Sequence, residues 1–487
     1  MTDYQKQIQI YGSKVDEAID QRCEAALVKA IEEIKQILAS TSFAESDPAL
    51  YYFLGTGYGE LARNKNGSKE YHQQAMFYFR KALELIDTKY PDPNLILRIL
   101  TNYANELDLV GRRIEALSIY RRALQIKPNF PMALGNYGRA LEYYANMVND
   151  PGHHESLHCY AYQSMKKVLE MEDFDFHDAA RQVFIKRVEA YEQLPGKDIV
   201  SAPIVYKEYD LGNSEEEKYR KWCLHNHLFL NPLNDTLEIE SAFCHDPLTI
   251  TSLTTSIEYT DAVNGSGAEP PRWFAMLNQL KEEYVYARFL CYEGTERRQE
   301  PHYADKEVQL SLASFDYTNY SFRIEQLKAA FRFLYSLFDK ISFFVNDFWK
   351  LGLGELRADA KSIYRSPNYP QDNVALTALY WLLCEFREKY ADAENESEKD
   401  LVTLRNALEH KFVKIHEYNW ERKLALESDS FYHVSEKDFQ DYTLRLLHLS
   451  REALMYLVFA IGIHERKEHS EKTVQMPISN FPDEWKL

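Results

Sequence analysis

The chain has 487 residues and a formal net charge of −18, from 57 Lys and Arg against 75 Asp and Glu. That balance excludes the broad, sequence-independent phosphate attraction behind nonspecific nucleic-acid binding, so any nucleic-acid contact has to be local. With 45% apolar residues, 35 Tyr, 26 Phe and only 17 each of Gly and Pro, the composition excludes a disordered chain and predicts a helix-rich protein of two or three domains.

Cys23, Cys159, Cys223, Cys244, Cys291 and Cys384 are scattered without a C-x-x-C pair, the usage of reduced thiols rather than a disulfide framework. The opening MTDYQKQIQIYGSK has no apolar stretch suited to a signal peptide, and no uninterrupted run approaches about eighteen apolar residues. The expectation is a cytoplasmic protein that does not enter a membrane.

In chain order, the first third reads as helical repeats. Leu100 to Pro128, LTNYANELDLVGRRIEALSIYRRALQIKP, fits a tetratricopeptide unit. Tyr103 and Ala104 make the large-small packing pair, Gly111 sits at the turn, Ala116, Tyr120 and Ala123 line the second helix, and Pro128 stops it. Tyr137-Gly138 repeats the pair 34 residues on, and Leu54-Gly55 with Tyr58, Ala75, Phe79 and Ala82 supplies an upstream copy. Insertions around ARNKNGSKEYHQQ and NMVNDPGHHES make both copies imperfect. Residues 1–195 are expected to form this array, and stacked repeats leave a groove for a protein or peptide partner.

Residues 196–320 change character. TLEIESAF and LTITSLTTSIEYT predict strands and VNGSGAEPP a turn, between helical stretches EEEKYRKWCLHNHLFL and RWFAMLNQLKEEYVYARFLCYEG. A small mixed α/β middle region is expected. Residues 321–467 then predict four helices, 324–351, 373–390, 400–418 and 438–466, forming a bundle. Acidic residues 391–400 connect the second to the third, and residues 468–487 form a tail.

The third of these helices carries TLRNALEHKFVKIHEY. Leu401, Leu404, Leu408, Phe412 and Ile415 make its apolar stripe, while Arg405 with Glu409 and Asn406 with His410 stand one turn apart on an adjacent face. By spacing alone, an Arg405–Glu409 surface ion pair with an idle His410 is the plainer outcome. The residue types are also able to move protons and hold anions. A histidine moves protons near neutral pH, a guanidinium clamps a phosphate, and Asn406 can fix an oxygen or orient His410. Lys411, Lys414 and His416 add a local positive patch, with Glu409 either orienting the arginine or taking part in the chemistry.

The run Arg405-Asn406-Ala407-Leu408-Glu409-His410 resembles the motif of the HEPN (higher-eukaryote and prokaryote nucleotide-binding) superfamily: arginine, a polar residue, three variable residues and histidine. FRFLYSLFDKISFFVNDFW and the closing helix up to Ile463 resemble that superfamily's four-helix bundle, in the branch that follows tetratricopeptide repeats. YRKWCLHNHLFLNPLND and MLNQLKEEYVYARFLCYE are similar to that branch's middle region. The resemblance implies a metal-independent endoribonuclease, with Arg405, Asn406 and His410 catalytic and Glu409, Lys411 and Lys414 supporting. It also implies a homodimer whose paired motif helices share one cleft and supply both proton carriers. A regulated toxin or antiviral defence effector fits this reading. A catalytically silent interaction or nucleotide-binding scaffold is the alternative, and a nucleotidyl transferase the third.

Other apparent motifs carry less. Cys223, His225 and His227, with Cys244-His245, are too loosely spaced for a closed zinc site. His464-Glu465 and His469 miss the zincin interval by one residue, and GTGYG at Gly55 to Gly59 lies in a helix without a preceding strand. Phe331, Tyr335 and Phe338 read as core. No metal or cofactor is expected.

Overall fold

A computed structural model describes residues 3–40, 47–64, 67–89, 92–171, 178–194, 200–202, 204–254, 272–296, 302–308, 318–354, 360–384, 396–417, 431–467 and 473–475. The protein is mainly helical, a helical repeat region followed by a C-terminal helical domain. The predicted turn at 263–271 and the acidic residues 391–395 lie outside the described residues.

Helices α1 (Asp3–Asp20), α2 (Glu24–Ser40), α3 (Pro48–Asn64), α4 (Lys69–Lys89), α5 (Pro93–Leu109), α6 (Arg113–Ile126), α7 (Pro131–Ala145), α8 (Pro151–Leu169) and α9 (Asp178–Gln193) form the N-terminal part. They pack mostly on their chain neighbours, as stacked hairpins do. Asp92 and Asp150 cap α5 and α8, their carboxylates accepting from the Asn94 and His153 amides, with Pro in each first turn. Tyr103, Ala104, Ala116, Tyr120 and Ala123 are all buried. Gly111 turns the chain at φ +87°, a conformation that penalises any side chain. Gly138 admits the close approach of α8, because a Cβ there would lie 2.9 Å from the Ala161 carbonyl oxygen. GTGYG is helix-packing surface, with Gly55 against the Phe79 ring.

The middle region holds α10 (Ser214–His225), opened by a capping box between Asn213 and Glu216, and β1 (Ser252–Thr254). The strand expected over TLEIESAF is replaced by irregular chain ending in a 3₁₀ turn at Ser241–Phe243. Leu237 and Ile239 are exposed, and the Leu237 amide donates to the Tyr137 hydroxyl at 2.9 Å, so the segment's alternation meets no sheet. Strand β1 pairs antiparallel with β4 (Thr473–Gln475) of the C-terminal tail.

The C-terminal domain is built from α11 (Arg272–Glu296), α12 (Phe322–Phe348), the short α13 (Ala360–Arg365), α14 (Val374–Cys384), α15 (Glu396–His410) and α16 (Glu436–Lys467). Helix α11, read from sequence as part of the middle region, packs along α12 and also touches α16. Its Leu277, Leu280, Tyr284, Ala287 and Cys291 make the buried stripe that docks it. Helix α16 contains an apolar window long enough to span a membrane, but 89% of that window is buried inside the protein, as in a core helix.

One expectation is corrected here. The helix predicted over 400–418 stops at His410, and Phe412–His416 is a strand, β2, paired in parallel register with β3 (Phe431–Ser435). On its other edge the Asn319 amide donates to the Ile415 carbonyl at 2.8 Å. Strand partners on both sides satisfy the backbone that a continued helix would have satisfied internally. Ile415 is therefore buried through a strand, and Phe412, assigned to the helix's apolar stripe, is 69% exposed.

Repeats, middle region and C-terminal domain share one core. At their junction Arg451 of α16 donates to both Asp235 carboxylate oxygens, at 2.7 and 3.2 Å, and to the Phe229 and Asn231 carbonyls. Tyr144 of α7 donates to the same carboxylate at 2.7 Å, and Arg121 of α6 to the Asp235 carbonyl at 2.8 Å. Arg451 and Asp235 are both buried, so removing one partner strands a charge without water. Arg451→Met should lower stability by about 3–5 kcal/mol in urea denaturation, and the double variant Arg451→Met/Asp235→Leu by less than the sum of the single changes.

A second junction joins the Arg112–Glu115 ion pair to Glu452, 3.8 Å from the Arg112 guanidinium. Burial and the neighbouring Glu115 push the Glu452 carboxyl up to about 8, against the pull of Arg112. A carboxyl whose folded value lies above its unfolded one binds its proton more tightly when folded. Its contribution is complete below the ordinary carboxyl range and is lost as pH rises toward about 8. Stability should fall over that interval, and Glu452→Gln should flatten the fall in melting curves taken from pH 5 to pH 9.

Candidate functional site

Helix α15 is oriented by Leu401, Leu404 and Leu408, all buried against the domain. That face leaves Arg405 and Asn406 half-buried at the rim and Glu409 and His410 exposed at the last turn. Arg405 and His410 are five residues apart, about 140° around the axis, with Asn406 between them. The structure joins Arg405 to Asn406, the guanidinium Nη1 donating to Oδ1 at 3.0 Å. It joins neither to His410, which among the described residues has no hydrogen-bond or ion-pair partner.

Helix α12 supplies what the motif alone does not show. The Arg405 guanidinium lies 5.5 Å from the centre of the Tyr335 ring. Asp339, one turn along α12, is near enough to feel Arg405: desolvation holds its carboxyl above the ordinary value while the guanidinium pulls it down. Arg332 closes the helix end, donating from Nη2 to the Leu408 carbonyl at 2.7 Å, with its Nε 3.4 Å from Glu409 Oε1. A cation on the last carbonyls both satisfies them and opposes the helix dipole.

Glu409 thus pairs with Arg332 and not with Arg405, so the plain surface-pair arrangement is not what the chain adopts. Phe331 and Phe338 are core, and Tyr335 packs half-buried against that core with Arg405 over its ring. Residue type was the available signal, since Arg332, Tyr335 and Asp339 follow helical spacing and are among the polar members of that stretch. Lys411 is exposed beyond the helix end. Lys414 sits on β2 with its Nζ 4.4 Å from the Phe431 ring centre. His416, expected in the positive patch, is buried, its Nε2 2.8 Å from Nδ1 of His433.

The loosely spaced Cys/His set is dispersed. Cys223 is buried with its thiol pushed up to about 12 by desolvation. His225 bonds the Lys221 carbonyl, and His227 bonds the Asn234 carbonyl while burial, then Arg121, holds it down at about 3. No group of three or more His, Cys, Asp or Glu suited to a metal occurs among the described residues.

Chemically, this is a guanidinium bonded to an amide oxygen and lying over a ring, with donors left over, on the same helix as an open imidazole. Residues 265–464 match the family described as LA2681-like HEPN, and the Arg405–His410 segment lies inside that span. The match supports a HEPN domain here. It takes in α11 as well as α12, α14, α15 and nearly all of α16, in accord with their packing. No curated protein and no solved structure matches the chain.

The two faces of α15 should separate in mutagenesis. Leu408→Ala should cost about 2–5 kcal/mol by opening a cavity, whereas His410→Ala and Arg405→Ala should leave helix content and melting temperature nearly unchanged by circular dichroism.

Proposed function

We propose that the protein is a metal-independent endoribonuclease acting through Arg405, Asn406 and His410. The observation that carries the reading is an Arg405 bonded to the Asn406 amide oxygen and lying over the Tyr335 ring, five residues before an exposed His410 inside the HEPN-matched span. In the reaction a histidine removes the ribose 2′-hydroxyl proton and the 2′-oxygen attacks the adjacent phosphorus. The bond from phosphorus to the 5′-oxygen breaks, and a second histidine protonates the leaving oxygen. Arg405 clamps the non-bridging oxygens as charge builds on them. Lys411 and Lys414 support the phosphate, and Glu409 fixes Arg332 at the helix end.

One chain offers one such histidine, and His410 has no orienting partner among the described residues. A homodimer with facing α15 helices would supply the second proton carrier and the missing neighbour. The biological reading is a cytoplasmic toxin or antiviral defence effector regulated through its repeats. The face of the repeats left for a partner includes an open cavity of about 580 Å³ lined by Glu142, Asn146, His158, Arg187 and Tyr191. The unpartnered His410 also favours a second reading, a catalytically silent HEPN scaffold.

The two readings separate in one assay. Purified protein incubated with tRNA and total RNA in EDTA should cut RNA and leave 2′,3′-cyclic phosphate ends, with His410→Ala and Arg405→Ala inactive. Light scattering should give about twice the chain mass. Cleavage by His410→Ala at the wild-type rate overturns the catalytic assignment, and absence of cleavage by the wild type favours the scaffold.

A further inference from the structure

The strand pair that follows the motif helix turns an unusual surface to solvent. In the parallel register Phe412 stands opposite Phe431 and Lys414 opposite His433, so these four share one face of the ribbon. Their neighbours Val413, Ile415, Tyr432 and Val434 point the other way and pack on the core. Solvent faces of small sheets are ordinarily polar, yet here Phe412 is 69% and Phe431 37% exposed. The rings are 5.6 Å apart and tilted by 34°, which backs Phe412 with Phe431 and leaves Phe412 open outward. The Lys414 ammonium lies against the Phe431 ring, and the His433 ring stacks parallel to His416 at 5.1 Å.

Lysines stand close to these rings. Lys411 and Lys414 lie at and on β2, and Lys437 follows β3, in a protein of net charge −18. Of the nearby carboxylates, Glu409 is paired with Arg332 and Glu436 with Arg323, Asp438 accepts from the Ser435 hydroxyl, and Glu417 is exposed. An open aromatic ring bordered by cations fits a nucleobase stacked on the ring with its phosphates on the lysines, the arrangement by which proteins hold single strands. Phe412 is two residues from His410, a span of at most about 7 Å.

We propose that the β2–β3 ribbon is a stacking subsite for single-stranded RNA, with Phe412 receiving a base next to the scissile phosphate, Phe431 supporting it, and Lys411 and Lys414 meeting the flanking phosphates. This deepens the ribonuclease reading and rests on it for the position of the scissile bond. The subsite makes single-stranded segments, such as loops and unpaired ends, the substrate class.

The test uses the full chain carrying His410→Ala, so that RNA stays intact, and a fluorescein-labelled single-stranded RNA of about twelve nucleotides, read by anisotropy at fixed salt. Adding Phe412→Ala should weaken binding about 5- to 100-fold, the range of one lost stacking contact. Phe412→Trp should restore it, with melting temperature unchanged in both. In the active chain Phe412→Ala should raise KM and leave kcat within a few fold. Unchanged RNA affinity in Phe412→Ala, or no RNA binding by the His410→Ala chain, overturns the subsite whatever the cleavage result. Loss of the dimer by Phe412→Ala in light scattering, with affinity per site retained, assigns the ring to an interface between copies and overturns it too. Phe412-dependent RNA binding by a wild-type chain that cuts no RNA supports the subsite and removes only the ribonuclease reading.

Discussion

Arg451 and Asp235 form the buried contact on which the arrangement of the three regions depends. A guanidinium in a dry core is tolerable only if its donors are used, and Arg451 spends them on one carboxylate and two main-chain carbonyls. All of those acceptors belong to the segment 229–235, whose only regular structure is one 3₁₀ turn at Pro232–Asp235. The same carboxylate takes the Tyr144 hydroxyl from the repeats. The segment is thus shaped by charges from both sides, and shifting either domain would leave polar groups buried without partners.

That dependence changes what the repeats do in this protein. A helical array by itself offers its faces to outside partners, but part of this one is occupied by its own chain. Tyr137 holds the Leu237 amide, and the Ile114 amide donates to the Tyr456 hydroxyl of α16 at 3.0 Å. Gly111 brings the α5–α6 turn against α14, where a side chain would press on the Val374 carbonyl. Any event that bends the array would therefore act on α14 and α16, the helices that flank the motif helix's domain.

At the site itself the division of labour follows from burial. The leucine face of α15 fixes where Arg405 points, and α12 supplies the ring, the carboxyl and the helix-end cation around it. The chemistry-bearing groups are left at the rim, where a large substrate has access. Ending the helix at His410 also matters. It sends the chain directly into a strand whose outer face carries Phe412 and Lys414, which a helix running on to Tyr418 would have turned elsewhere.

Much of this was legible in the residues. The repeat helices follow from large-small pairs, a turn glycine and a terminating proline, because those features act locally and at fixed intervals. The Arg405-to-His410 spacing and the buried leucines of α15 are likewise properties of one helix. What sequence could not show was every feature made by partners distant in the chain. Phe412–His416 reads as helix until β3 and residue 319 bond to it, and nothing local to Tyr335 shows that Arg405 lies over its ring. α11 belongs with the bundle only because its apolar stripe meets α12. The strand expected in TLEIESAF gave way because Tyr137, a hundred residues earlier, took the amide of Leu237. Local periodicity determined which segments are helical and which face of each is apolar; the tertiary structure alone decided which polar groups meet, since a buried charge or open backbone group takes whichever partner the packing brings within hydrogen-bond reach.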